Sequence, residues 1–165
     1  MEEIWSHITD FPKYAVSNHG SVMNVLTHTL MKHLRNQRGY TYVGLFNAKG
    51  VQLNRSVALL VANAFLKPHP LSSFNTPINV NGIRTDNYVS NLMWRPRWFA
   101  YKYHRQFYTG PRGFLQPVYD VDTGEQYPTS FQAAIRYGLL DREILLSAIR
   151  NEPVWPTEKR FHPVT

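Results

Sequence analysis

The sequence predicts an α+β fold assembled from short elements. Three observations predict it. Stretches of period-two alternation end at Gly, Asn or Pro turn signals. The amphipathic runs are short and carry helix start and stop residues. Eleven prolines and nine glycines are scattered along 165 residues, which divides the chain into many small pieces. At 43% hydrophobic and 14% aromatic residues the chain folds rather than remaining disordered, as one compact domain or two small modules. With no cysteine, disulfides and Cys-ligated zinc are excluded. No apolar run approaches the ~18 residues needed to cross a membrane, and the acidic start MEEIW is no signal peptide. A soluble, intracellular protein is expected.

In chain order, EIWSHITDFPKYAVSNHGSVMNVL (3–26) alternates, with turns at Phe11-Pro12 and Asn18-His19-Gly20. Tyr14 to Asn18 and Gly20 to Val22 read as two strands joined tightly. THTLMKHLRNQR (27–38) places Lys32, Arg35 and Arg38 three apart, as a ribbon on phosphates or an ordinary solvated turn. His28 and His33, five apart with no acid nearby, read as surface residues. GYTYVGLFNAKGVQL (39–53) reads as a hairpin turning at Ala48-Lys49-Gly50. SVALLVANAFL (56–66) is a short helix capped by Asn54 or Ser56 and stopped by Pro68. RPRWFAYKYHRQFYTGPRGF (95–114) interleaves Arg95, Arg97, Lys102, Arg105 and Arg112 with Trp98, Phe99, Tyr101, Tyr103, Phe107 and Tyr108, and holds no acid. That pattern suits a helix and tail on a DNA groove, or rings buried against a sheet. PVYDVDTGEQYPT then forms a hairpin turning at Asp122-Thr123-Gly124, Ser130 caps FQAAIRYG, and Asp141 caps REILLSAIRN. Ile144, Leu145, Ala148 and Ile149 would share the buried face of that last helix, and the pair reads as a helix-turn-helix. It presents Arg142, Ser147 and Arg150 to DNA or offers a docking surface for another protein.

Charge follows the same division. Residues 11–119 hold 13 Lys/Arg against a single acid, Asp86, whereas residues 120–165 hold five cations against seven acids. A block so one-sided concentrates polyanions at its surface.

Two patterns carry a family resemblance. Trp5, Ile8, Phe11, Tyr14, Val16, Ser17, Asn18, Gly20 and Val22 reproduce the modular motif that precedes many HNH homing endonuclease domains. TPINVNGIRTDNYVSNLMW (76–94) resembles the HNH core itself, agreeing at Gly82, Thr85, Asn87, Asn91, Leu92 and Trp94 without a gap. The resemblance implies a ββα core followed by a basic helical linker and a C-terminal hairpin with a helix-turn-helix. The expected boundaries are 1–94, 95–116 and 117–165.

In active members a histidine takes a proton from water and oxygen ligands hold one divalent metal. The position of that histidine falls on Asn79, the residue before it on Ile78 and the last ligand near Ala100, leaving Asn91 as retained frame. An amide cannot take up the proton and Ile78 offers no oxygen. The family helix V-H-R-L-V-A-x-A-F likewise keeps Val57, Leu60, Val61, Ala62, Ala64 and Phe65 but replaces its polar pair by Ala58-Leu59. His69 and His104 are the displaced histidines that could substitute.

The expectation is a phage-type DNA-binding protein without nuclease activity, using Lys32, Arg35, Arg38, Arg84, Arg95, Arg97, Lys102, Arg105, Arg112, Arg142, Ser147 and Arg150 as contacts. Its partner is double-stranded DNA, with a phage or host protein as a further candidate. It would act as a monomer in the cytoplasm, on the nucleoid of an infected bacterium, with no cofactor and no membrane. Two alternatives stand beside it: an active nuclease with rearranged ligands, which would need Mg2+, and a protein-binding module that inhibits or decorates a complex.

Overall fold

The computed structural model describes residues 1–165, and the chain divides into two compact units. The first comprises Met1–Asn79 and Ile83–Arg97, the second Val80–Gly82 and Trp98–Thr165. The α+β expectation holds: twelve short strands, four α-helices and a single 3-10 turn make up the chain. No helix is long and apolar enough to cross a membrane.

In the first unit β1 (Trp5–Ile8), β2 (Phe11–Ser17), β3 (Val22–Asn24) and β4 (Thr29–Leu30) form an antiparallel sheet in that order. β5 (Leu34–Arg35), β6 (Thr41–Phe46) and β7 (Gln52–Ser56) form a second, with the Asn47–Gly50 turn where the sequence places it. Helix α1 (Val57–Phe65) follows, and Ser56 supplies its cap by accepting from Leu59 N at 3.3 Å. β8 (Thr76–Asn79) pairs antiparallel with β9 (Leu92–Arg95) after a 3-10 turn at Val89–Asn91.

The core joins alternate residues of β2 and β6 to one face of α1: Tyr14, Val16, Val43, Leu45, Val57 and Val61 are all buried. Each such side chain contributes about 1.5–3 kcal/mol. Ser17 and Asn18 of the N-terminal motif act through hydrogen bonds. Ser17 Oγ accepts from the backbone N–H groups of His19 and Ser21, while Asn18 Oδ1 accepts from Ile4 N and its carbonyl from Val89 N. Their spacing is therefore a turn that closes the N-terminal sheet and holds the start of the 3-10 turn.

The second unit holds α2 (Arg97–Thr109, from Trp98 onward), β10 (Val118–Asp120), β11 (Gln126–Tyr127), α3 (Ser130–Tyr137), α4 (Asp141–Arg150) and β12 (Phe161–Pro163). The three strands form one sheet, ordered β11-β10-β12; the third strand has no counterpart in the expected hairpin. Residues 95–116, expected as a linker, divide between the units, and α2 groups with the C-terminal one. Val118, Ala133, Ala134, Leu139, Ile144, Val154 and Phe161 make its core.

Three local expectations are corrected. Thr129, not Ser130, caps α3, accepting from Gln132 N at 3.4 Å. Asp141 is the first residue of α4 rather than its cap. The buried side of α4 runs through Asp141, Ile144 and Ser147, leaving Ile149 71% exposed. The physical reason is shared. Asp141 Oδ2 accepts from Arg112 N and Gly113 N at 2.7 and 2.8 Å, and its Oδ1 accepts from Ser130 Oγ. Asp141 N in turn donates to Gln106 Oε1, whose amide nitrogen donates to Leu139 O. This buried latch ties α2, the 112–114 segment, α3 and α4 together, and it turns α4 about its axis. Gly113 is needed because a Cβ there would collide with Ser130 Oγ and Asp141 Oδ1.

Candidate functional site

The segment between β8 and β9 is built from side-chain amides. Asn79 is 2% exposed and its Nδ2 donates to Asp86 O at 2.8 Å and to Asn87 Oδ1 at 3.0 Å. Asn87 Nδ2 continues the chain to Thr41 Oγ1 at 2.7 Å, and Asn91 Nδ2 donates to the same Asp86 carbonyl at 2.8 Å. A histidine in place of Asn79 could not supply two donors from one atom in this geometry. Ile78 is fully buried and Leu92 belongs to the core. The frame residues that the sequence retains are thus the ones that bond or pack.

Gly82 has its own reason. Its φ is +77°, and a Cβ would run into the Phe107 ring. Tyr103 Oη donates to Val80 O at 2.5 Å, so α2 holds residues 80–82 by a ring and a hydroxyl.

Of the positions implied for catalysis, Asn79 offers no base, and Ile78 and Ala100 offer neither base nor ligand. Asn79 is committed to the loop, Ile78 is aliphatic, and Ala100 is a buried alanine of α2. A divalent cation seeks carboxylate or carbonyl oxygens. Ile78 and Ala100 carry no side-chain oxygen, so these residues do not fit the metal that the resemblance implies. No group of three or more His, Asp or Glu stands close enough together to share one. Of the two displaced histidines, His104 is 1% exposed inside its unit. His69 is exposed, stacked on Phe74 with centroids 3.9 Å apart, and its Nδ1 accepts from Leu71 N.

The basic residues separate into two sets. Lys32, Arg35 and Arg38 are exposed in the first unit, Arg97, Lys102, Arg105, Arg142 and Arg150 are exposed along α2 and α4, and Arg112 is exposed just after α2. Three expected contacts are elsewhere. Arg95 is buried and donates to Trp94 O; the β8–β9 pairing carries it inward. Arg84 donates to Arg38 O at 2.7 Å and lies 4.2 Å over the Tyr40 ring, bracing one loop on another. Ser147 is buried and its hydroxyl donates to Pro153 O, a consequence of the turned α4.

Helix α2 has two unlike faces. Phe99, Ala100, Tyr103, His104 and Gln106 are buried, whereas Trp98, Tyr101, Lys102, Arg105 and Tyr108 are exposed at helical spacing. Between α2 and the start of α4 lies an open cleft of about 450 Å³, bordered by Lys102, Arg105, Arg112 and Arg142. Four cations outnumber the two acids of this lining, Asp141 and Glu143, and Asp141 already accepts from backbone donors, so the concavity attracts phosphate. The sequence shows each of these cations but not the cleft, because Arg142 comes beside Lys102 and Arg105 only through the Asp141 latch. Nor does spacing reveal that Trp155 stacks on Trp98, with centroids 5.3 Å apart.

Comparison with known proteins follows the same division. Residues 3–46 match the NUMOD4 motif. An uncharacterized HNH endonuclease, L247, of Acanthamoeba polyphaga mimivirus is 33% identical over 94 residues, covering 56% of this chain. The match spans 23% of that relative's length. Among solved structures, one that describes DNA binding and cleavage by the HNH homing endonuclease I-HmuI aligns with a TM-score of 0.55. It covers 99% of this chain and 98% of that one at 21% identity, a likeness of fold. The N-terminal segment thus carries the NUMOD4 motif, part of the chain is similar to an HNH endonuclease, and the overall fold is similar to that of an HNH homing endonuclease.

Proposed function

We propose that the protein binds double-stranded DNA and does not cut it. The observation that carries this reading is the contrast within the HNH frame. The residues that pack or bond are retained (Gly82, Asn87, Asn91, Leu92), and those that would do chemistry are Ile78, Asn79 and Ala100. Loss of a general base alone costs about 100- to 10,000-fold in rate, and here Ile78 and Ala100 bring no side-chain oxygen to a metal either. What supports DNA as the partner is the exposed cation set: Lys32, Arg35 and Arg38 in one unit, and Lys102, Arg105, Arg112 and Arg142 around the cleft in the other. I-HmuI, which shares the fold, is itself a protein that binds DNA.

On this reading the protein acts as a monomer on the nucleoid of a phage-infected cell, as a regulator or a competitor for a site, without a metal cofactor. The test is a gel shift of a phage-genome fragment across salt concentrations beside a cleavage assay in magnesium and manganese. Binding that weakens steeply with salt, and substrate left intact, is expected. Metal-dependent nicking that disappears in His104→Ala would establish the nuclease alternative instead. Absence of any shift at low salt would remove DNA as the partner and leave the protein-binding alternative.

A further inference from the structure

The outer face of α2 carries a feature that duplex phosphates do not explain. Trp98 is 53% exposed and Tyr101 59% exposed, one turn apart on the helix. Trp155 is 48% exposed and stacks on Trp98 with the ring planes 21° apart. Phe99 supports the pair from below, with its centroid 5.6 Å from Trp155 and 5.7 Å from Trp98. The Lys102 ammonium lies 5.3 Å from the Trp98 ring. Single exposed rings are ordinary on a protein surface. A stacked indole pair, buttressed by a buried phenylalanine and left half in water beside a lysine, is a built platform.

We propose that this platform stacks the unpaired bases of single-stranded DNA. The inference rests on the nucleic-acid reading above and extends it to a second form of the ligand. Every base has a π-face that can lie on an aromatic ring, but in an intact duplex those faces are taken by neighbouring pairs. An indole pair therefore gains little from duplex and much from a strand whose bases are free. Charge sets the direction of the strand. Lys102 and Arg105 follow the rings along the helix, whereas in the loop bearing Trp155 Glu152 and Glu158 offset Lys159 and Arg160. The phosphates run along α2, and the bases turn toward the tryptophans.

The experiment is a fluorescence titration of the full chain with a thymidine oligonucleotide about 15 nucleotides long, the span of one large single-strand site, and with a duplex of equal length. Wild type is expected to bind the single strand with quenching of its tryptophan emission. Trp98→Ala should weaken single-strand binding about 5- to 150-fold, the range for one lost base–ring contact, and leave duplex binding within about twofold. Trp98→Phe, which keeps a ring, should retain most of the single-strand affinity. The proposal is overturned if wild type does not bind the thymidine strand, or if Trp98→Ala weakens both ligands equally or neither. Failure of duplex binding with single-strand binding intact would count against the double-stranded reading alone.

Discussion

The β8–β9 hairpin and helix α2 hold their polar side chains in opposite ways. In the hairpin Asn79, Asn87 and Asn91 point inward and are used on backbone carbonyls, a neighbouring amide and the Thr41 hydroxyl. On α2 Lys102 and Arg105 point outward between exposed rings and border a cleft. The first region spends its amides inside the fold, and the second exposes its cations to solvent. They also obey different constraints: a buried amide must be satisfied wherever it sits, whereas a surface cation is retained only by what it meets.

The sharpest way to break that comparison is to remove the outward cations. Lys102→Ala, Arg105→Ala, Arg112→Ala and Arg142→Ala together should weaken duplex binding roughly a thousandfold near 0.1 M salt. The same quadruple variant should reduce the slope of log K against log salt by about 3.6, if each meets one phosphate. An unchanged slope, read by anisotropy across a salt series, would show that the cleft faces something other than DNA.

Next in size is the attempt to restore chemistry. Ile78→Asp with Asn79→His places a carboxylate where the side chain is fully buried and removes the two donations from Asn79. A loss of about 3–5 kcal/mol in chemical denaturation is expected, with no cleavage gained. A stable double variant that cuts DNA would mean the hairpin had remained an active-site scaffold.

Smaller still is the effect of the one ion pair of the C-terminal unit, Lys159 Nζ to Asp120 Oδ2 at 2.6 Å. Burial pushes the Asp120 carboxyl up, but the Lys159 hydrogen bond and the backbone donors of Asp122 and Thr123 outweigh it, so the group lies below its usual range. The Asp120 hydrogen bond holds the Lys159 ammonium above its own. A depressed carboxyl gives stability that is present above its unfolded pKa and lost as pH falls through the folded value. A raised ammonium gives stability that is lost as pH climbs through its folded value. The unit should therefore be most stable between about pH 4 and 10. Asp120→Asn should cost about 2–3 kcal/mol at neutral pH and remove the acid limb, as followed by thermal melts. Equal melting of variant and wild type at pH 7 would reduce this pair to surface decoration.

The sequence by itself determined the helices and the main hairpins, though not β12, because alternation, Ser56, Pro68 and the Asn47–Gly50 turn are local signals. It also determined the resemblance to the HNH frame and the chemical character of Ile78, Asn79 and Ala100, since an amide cannot serve as a general base and an aliphatic chain can be neither base nor ligand in any fold. Tertiary structure alone decided where side chains point. Arg95, Arg84 and Ser147 read as surface contacts from composition, yet strand pairing, a cation–ring contact and the turned α4 draw them inward. Asp141 reads as a cap, yet its carboxylate finds two backbone donors about 28 residues earlier in the chain and a serine 11 residues earlier. Trp98 and Trp155 are 57 positions apart in the sequence and meet only because α2 and the loop after α4 belong to one packed unit. Periodicity reports which residues share an element's face. Which face is covered depends on hydrogen bonds between residues far apart, and no local pattern encodes those.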